Sequence, residues 1–150
     1  MTSATIIPTP MENRLMQELR AVGLFEGVED EMLLEVARVV RPMAFLPGTE
    51  IIREGEFGDS MYFLMDGSVE VLSGGLVLET LSRGDIFGEM ALVTGNPRAA
   101  TVRAVEHCGV LRMSVKDFRS LRAFYPQFNA ALHALVNQRI RSSARKLAGS

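Results

Sequence analysis

The segments Phe87-Gly-Glu-Met-Ala-Leu92 and Pro97-Arg-Ala-Ala-Thr-Val102 carry most of the information about this chain, and a short loop, Val93 to Asn96, separates them. Gly88 permits a close approach of the backbone, and a helical turn is expected directly after it. Free backbone N–H groups at such a turn attract an anion. Arg98 adds a permanently charged, forked donor that suits phosphate oxygens. The stretch therefore indicates an anion-binding loop.

Glu89 is the unusual member of this stretch, because a carboxylate repels a phosphate. It needs a partner that donates a hydrogen bond, and a sugar hydroxyl does so. A phosphate and a ribose hydroxyl on one small ligand indicate a nucleotide. The residues leave one plainer alternative open, in which Arg98 and Glu89 form a surface salt bridge on a purely structural scaffold.

Short apolar runs and glycine turns surround the stretch from residue 42 to residue 113. Met61-Tyr-Phe-Leu-Met65 is typical of a strand, and Asp66-Gly67 after it is a hairpin signal. Gly74-Gly75 marks a further turn. Several short strands at this spacing predict a small antiparallel barrel or jelly roll.

Helical patterns flank this β region on both sides. Residues 11–41 predict two helices, Glu12 to Val22 and Glu29 to Val40, with Pro42 ending the helical region. Residues 114–150 predict two more, Phe118 to Phe124 and Gln127 to Leu147, and residues 1–10 a flexible arm. The predicted fold class is α+β.

Composition narrows the possible functions. The chain has 150 residues, which indicates one domain, and its net charge of -2 argues against nonspecific nucleic-acid binding. Cys108, the only cysteine, lies in an apolar run and predicts a buried side chain, while His107 and His133 offer no metal-ligand spacing. No apolar run is long enough for a membrane span, and no secretory signal is recognisable, so we expect a cytoplasmic protein without a metal or other cofactor.

The two quoted segments resemble the phosphate-binding cassette of cyclic-nucleotide-binding domains, which occur in kinase regulatory subunits, catabolite activator proteins and cyclic-nucleotide-gated channels. Arg53-Glu-Gly-Glu-Phe-Gly-Asp59, Gly67-Ser-Val-Glu-Val71 and Gly84-Asp85 match the glycine framework of the same family. The resemblance implies a β-roll of about eight antiparallel strands, with N-terminal helices before it and a hinge helix and a lid helix after it.

The resemblance also implies roles for individual residues. Glu89 would bind the ribose 2′-hydroxyl, and Arg98 the exocyclic phosphate oxygens. Arg139 and Ile140 are the candidates for closing the lid over the base. The other expected ligand contacts are Gly88, Met90, Ala91, Ala99 and Ala100 of the cassette, and Val71 and Leu78 of the base pocket.

We therefore expect a regulatory sensor of cAMP, with cGMP as the alternative ligand, and no catalytic activity. In the family that the chain resembles, cGMP-responsive members often have a Thr or Ser at the position of Ala99, whose hydroxyl can bind the guanine amino group. The resemblance therefore implies a preference for cAMP, because alanine has no hydroxyl. The expected partner is a protein effector or an effector domain outside this chain, and not DNA, because no helix-turn-helix follows the last helix. The alternatives are the gating domain of a cyclic-nucleotide-gated channel and a family member that has lost its ligand. A metal-dependent barrel enzyme is disfavoured by the two histidines.

Overall fold

A computed structural model describes residues 7–148, with side chains described from residue 7 to residue 141. It shows two four-stranded antiparallel sheets flanked by helices, which confirms the predicted jelly-roll fold. The first sheet has the order β1-β8-β3-β6 and the second the order β2-β7-β4-β5. The strands are β1 (Arg41–Phe45), β2 (Glu50–Ile52), β3 (Ser60–Asp66), β4 (Val69–Ser73), β5 (Leu76–Leu81), β6 (Ile86–Phe87), β7 (Thr101–Ala104) and β8 (Cys108–Ser114).

The helices lie before, within and after the strands. They are α1 (Pro10–Leu19), a 3-10 turn (Gly23–Phe25), α2 (Asp30–Val39), α3 (Glu89–Thr94), α4 (Val115–Phe124) and α5 (Pro126–Ala148). In the part of the chain that the structure describes, none of them is long and apolar enough to cross a bilayer. The helix α3 is the turn expected inside the cassette.

The start of the first helix differs from the prediction. The helix α1 begins at Pro10 and ends at Leu19, because Thr9 and Glu12 form a capping box around the first turn. Pro10 therefore belongs to α1 rather than to a flexible arm, while residues 1–6 of the expected arm lie outside the described residues. Val22 lies beyond the helix and leads into the 3-10 turn.

Pro42 lies at the boundary that the sequence predicts between the helical and the β regions. The helix α2 ends before it, at Val39, and Pro42 lies inside β1. The strand β1 is at an edge of its sheet, paired only with β8 in the sheet order. An edge strand tolerates proline, because one row of its N–H groups needs no strand partner.

An aromatic cluster joins the helices to the first sheet. The ring of Phe25 lies 5.3 Å from that of Phe63 and 6.3 Å from that of Phe128, and Phe118 packs edge-on against Phe128 at 6.0 Å. All four side chains are fully buried. The first turn of α5 is therefore fixed against the N-terminal helices and the barrel, while the rest of α5 extends away from this anchor.

Between the two sheets lies a second group of buried side chains. It includes Cys108, which is buried as predicted, with its sulfur 3.1 Å from the carbonyl oxygen of Ser68. Burial raises the pKa of this thiol, so it stays protonated at neutral pH. Cys108 is a packing residue.

Candidate ligand-binding site

A cavity of about 450 Å³ opens between the second sheet, α3 and α5. This volume lies within the range of roughly 300–1,000 Å³ that is usual for small-molecule sites. The cavity is lined by Ile52, Val71, Ser73, Leu78, Glu79, Phe87, Gly88, Glu89, Met90, Ala91, Arg98, Ala99, Ala100, Val102, Arg139 and Ile140.

Every site residue predicted from the sequence contributes to this lining, including the lid candidates Arg139 and Ile140. The structure thus brings together a cassette, a pair of neighbouring strands and the last helix. It adds five lining residues that the sequence reading missed, which are Ile52, Ser73, Glu79, Phe87 and Val102.

Arg98 is the only arginine among the buried side chains of the described residues, with 8% of its surface exposed. Its guanidinium donates to the carbonyl oxygens of Gly88 at 2.5 Å and Ser60 at 2.7 Å. In the described part of the chain no carboxylate oxygen lies within 4 Å of it. Burial lowers the pKa of Arg98, but a guanidinium titrates so high that it stays charged. The side chain is therefore a fixed cation that no acid neutralises at contact distance.

Two glycines make room for this guanidinium. A Cβ at Gly58 would lie 2.6 Å from Cζ of Arg98, and one at Gly88 would lie 3.0 Å from its Nη1. Gly88 also has a φ of 83°, in the left-handed region that glycine adopts without strain. The glycines of the sequence framework therefore have a steric function at this site.

The main chain of Arg98 is held by the loop between β2 and β3. Its N–H donates to the carbonyl oxygen of Glu56 at 2.7 Å, and its carbonyl oxygen accepts from the N–H of Gly55 at 2.9 Å. With the two side-chain bonds, the residue is fixed at both ends. This fixation means that little reorganisation is needed to present the guanidinium to a ligand.

Glu89 begins α3 and is almost fully buried. Its Oε1 accepts from the guanidinium of Arg139, and its Oε2 accepts from the N–H of Met90 at 3.1 Å. Burial raises the pKa of Glu89, and the neighbouring Arg139 opposes that rise most strongly. Because Arg139 is always charged, the two side chains form an ion pair.

Arg139 therefore attaches α5 to the cassette. Its guanidinium also donates to the carbonyl oxygen of Ile86, the first residue of β6. The next residue, Ile140, lines the cavity and is 49% exposed. Both predicted lid residues thus lie at the cavity, and one of them contacts the cassette directly.

The surface salt bridge between Arg98 and Glu89, considered above as the plainer alternative, is not present. Both side chains are buried, and they use different partners: Arg98 bonds carbonyl oxygens, and Glu89 pairs with Arg139. Arg98, a cation that contacts no acid among the residues described, therefore lies next to Glu89, an acid that is paired with Arg139 of α5. This separation is what a ligand with an anionic group and a hydroxyl requires.

No metal site accompanies this cavity in the described residues: no group of three or more His, Cys, Asp or Glu side chains is placed to hold an ion. His133 is exposed on α5, with its Nε2 3.5 Å from Nη2 of Arg122. The polar chemistry of the cavity comes from its arginines and carboxylates.

Comparison with known proteins identifies the family. A family model described as cyclic nucleotide-binding domain matches residues 42–124, which is more than half of the chain. The chain belongs to the cyclic nucleotide-binding domain family. The matched residues include the cassette, both sheets and α4, so the anion-binding loop deduced above lies within the family's common unit.

The curated relatives of this cyclic nucleotide-binding domain include ion channels. A cyclic nucleotide-gated potassium channel of Rhizobium etli is 36% identical over 126 residues, covering 84% of this chain and 35% of the channel. The potassium/sodium hyperpolarization-activated cyclic nucleotide-gated channel 4 of the rabbit, Oryctolagus cuniculus, is 33% identical over 84% of this chain and 11% of the channel. The chain therefore spans about a third or less of the length of these relatives.

Solved structures give a second set of neighbours. A cAMP-bound PfPKA-R superposes with a TM-score of 0.83 at 29% identity, covering 90% of this chain and 47% of that one. The regulatory domain of Toxoplasma gondii PKA with cAMP gives a TM-score of 0.77 at 27% identity, covering 87% and 50%. The domain thus shares its fold with kinase regulatory domains that have been solved with cAMP bound.

Proposed function

We propose that this domain binds cAMP in the cavity and passes the binding event to an effector, without a reaction of its own. The observation that carries the proposal is Arg98, a buried cation that is held by carbonyl oxygens and faces no contacting carboxylate. The fold alone is not sufficient evidence for cAMP binding. The reason is that a regulatory subunit of a kinase described as cAMP-independent, from Trypanosoma brucei, shares this fold at 21% identity with a TM-score of 0.80.

The phosphate is assigned to Arg98. A guanidinium carries more N–H donors than its two bonds to Gly88 and Ser60 use, so donors remain for phosphate oxygens. Charge-assisted bonds of this kind are about twice as strong as bonds between neutral groups. An anion at this position also gives Arg98 a countercharge in direct contact, whereas Asp59 and Glu89 act on it only from a longer distance.

The ribose 2′-hydroxyl is assigned to Glu89. Its two oxygens already accept from Arg139 and from the N–H of Met90, but an ionised carboxylate has further lone pairs. A hydroxyl can therefore donate to Glu89 without displacing Arg139. The ion pair then acts as a support that keeps the carboxylate ionised and oriented.

The base is assigned to the apolar part of the cavity, where Val71, Leu78 and Val102 form the wall. We propose that cAMP binds more tightly than cGMP, because Ala99 at the cavity has no hydroxyl for the guanine amino group. An unpaired buried amino group costs about 1–3 kcal/mol.

The regulatory output is assigned to α4 and α5, the hinge and the lid. Arg139 and Ile140 line the cavity from near the middle of α5, whereas Phe128 anchors its first turn. A ligand that contacts this middle part changes the free energy of the arrangement in which α5 lies over the site, and so shifts its population. The effector is a protein or a domain outside this chain, and we place the domain in the cytoplasm with no role in DNA binding.

A second candidate, the gating domain of a channel, is favoured by the relatives in Rhizobium etli and the rabbit. It differs from the first only in the effector, which would be a pore. Both candidates require the same ligand site, so the first experiment is the same for both.

Isothermal titration calorimetry with cAMP tests the proposal on the unmodified chain and on Arg98→Ala. We expect one site per chain and a loss of about 1.5–3 kcal/mol in the variant, the range for a hydrogen bond to a charged group. Arg103→Ala is the matched control, because Arg103 pairs with Glu70 on the sheet and does not line the cavity. Equal affinity of the unmodified chain and Arg98→Ala would refute the phosphate site. Chromatography of the cAMP after incubation should return it unchanged, since no catalysis is proposed.

A further inference from the structure

A straight row of three residues crosses the cavity wall from β7 to β5. Val102 pairs with Val71 on β4, and Val71 pairs with Glu79 on β5. Directly opposite residues of antiparallel strands point to the same face of a sheet, and all three line the cavity. With neighbouring strands about 4.8 Å apart, Glu79 lies about 10 Å from Val102.

This row runs from the phosphate end of the cavity to its outer edge. Arg98 lies three positions before the start of β7, so Val102 lies on the side of the cassette, whereas β5 is the edge strand of the sheet. A nucleotide with its phosphate at Arg98 and its base along the row contacts the two valines first. The carboxylate of Glu79 is then the last group of the row that it meets.

An irregularity in the pairing explains why β5 presents a carboxylate here. The register shifts between Val71 and Leu72, so that Val71 faces Glu79 while Leu72 faces Val77. Leu78 is the additional residue of β5 at this shift, which is the pattern of a β-bulge. Leu78 and Glu79 consequently both line the cavity, although neighbours in a regular strand point to opposite faces.

The carboxylate of Glu79 is available to a ligand. Among the described residues it has no ion pair within 4 Å and no hydrogen bond from a side chain, in contrast to Glu89, which Arg139 holds. An ionised carboxylate only accepts hydrogen bonds, so it favours a ligand that presents N–H groups and disfavours one that presents a carbonyl oxygen.

We propose that Glu79 is a specificity-determining residue that accepts a hydrogen bond from the 6-amino group of adenine. This inference rests on the proposed function, because it needs the phosphate at Arg98 and the base along the row. The 6-position lies on the part of a purine remote from the sugar. Adenine carries an N–H donor there, whereas guanine and hypoxanthine carry a carbonyl oxygen that the carboxylate repels.

Glu79 also has an effect that is independent of the base. Its negative charge disfavours every cyclic nucleotide, since each carries an anionic phosphate. Removing that charge should therefore strengthen the binding of all of them to a similar extent. The specific contribution appears only in the ratio of two affinities, from which the common electrostatic effect cancels.

The experiment compares cAMP with the cyclic 3′,5′-monophosphate of purine riboside, which lacks only the 6-amino group. We expect the unmodified chain to bind cAMP about tenfold more tightly, a difference of about 1.4 kcal/mol. In Glu79→Ala this ratio should fall close to one. Glu79→Gln should retain part of it, because the amide oxygen still accepts a hydrogen bond. Glu26→Gln, an exposed acid that does not line the cavity, should keep the full ratio.

Two results would overturn the proposal while leaving the proposed function intact. One is a ratio that Glu79→Ala does not change. The other concerns the preference for cGMP over cyclic inosine monophosphate. If Glu79→Ala removes that preference and leaves the adenine ratio unchanged, the carboxylate binds the guanine edge instead. Absence of binding of every nucleotide to the unmodified chain would instead refute the proposed function itself.

Discussion

Replacing Arg139 with alanine tests how firmly α5 is attached to the cassette. The substitution removes the ion pair with Glu89 and the bond to the carbonyl oxygen of Ile86. It leaves the carboxylate of Glu89, only 2% exposed, without a countercharge. We expect lower stability and looser packing of α5 beyond its anchored first turn.

The magnitude follows from burial. Removing one partner of a buried ion pair costs about 3–5 kcal/mol, because the remaining charge loses its compensation. Arg139 is 14% exposed and lies near the middle of α5, beyond the first turn that Phe128 anchors, so water reaches Glu89 once this part of α5 moves away. The loss should therefore be close to the lower limit, about 3 kcal/mol.

The loss should depend on pH. Burial raises the pKa of Glu89, and Arg139 opposes that rise, so the pKa in the variant should be higher still. A folded-state pKa above the unfolded-state value means that the folded chain takes up a proton more readily than the unfolded one. The variant therefore regains stability relative to the unmodified chain as the pH falls through its folded-state pKa, and its deficit is largest at neutral pH.

Urea unfolding at about pH 5 and about pH 7.5 measures this dependence. Circular dichroism is the suitable signal, because the chain contains no tryptophan. Glu89→Gln combined with Arg139→Ala should be more stable at neutral pH than Arg139→Ala alone, since no buried charge is left unpaired. Arg53→Ala, which removes an exposed pair with Glu50, should cost at most about 1 kcal/mol. A deficit below about 1 kcal/mol that is equal at both pH values would refute the ion pair.

Three further predictions concern the ligand. In competition binding, Ala99→Thr should improve cGMP binding relative to cAMP, whereas a preference of the unmodified chain for cGMP would show that Ala99 does not set the choice. Gly58→Ala should weaken cAMP binding about tenfold, because its Cβ would lie 2.6 Å from Cζ of Arg98; Gly23→Ala, with nothing within 4 Å, is the control, and equal affinities would refute the steric argument. Hydrogen exchange in α5 should slow when cAMP binds, and truncation after Asn137 should weaken binding while the barrel stays folded, with circular dichroism losing only the signal of the removed helical residues; identical exchange with and without nucleotide would contradict the lid.

The cassette could be recognised from sequence because its chemistry is local. Gly88, Glu89 and Arg98 lie within eleven consecutive positions, so their spacing alone indicates an anion and a hydroxyl. The partner of Glu89 is different. Arg139 is fifty positions away, and only the packing of α5 brings the two side chains together. The sequence predicted that Arg139 belongs to the lid but gave no indication of its ion pair.

Glu79 could not be assigned to the site from sequence, because its orientation depends on a bulge. Strict alternation along β5 places Leu78 and Glu79 on opposite faces, and the pairing with β4 overrides it. The apolar lining residues Ile52 and Val102 could not be assigned to the site either. Periodicity identifies a buried face, but it does not show whether that face packs in a core or lines a cavity.

The local arrangement of charges explains how a chain with a net charge of -2 can hold an anion. Arg98 and Arg139 face the cavity together with Glu79 and Glu89, so the site as a whole is close to neutral. Its selectivity therefore comes from the order of the charges along the cavity and not from their sum. Arg139 neutralises Glu89 and leaves Arg98 as the cation without a contacting acid, while Glu79 lies at the outer edge of the sheet. A ligand is bound well only if its anionic group, its hydroxyl and its N–H donor follow the same order, which is a stricter condition than attraction to a positive patch.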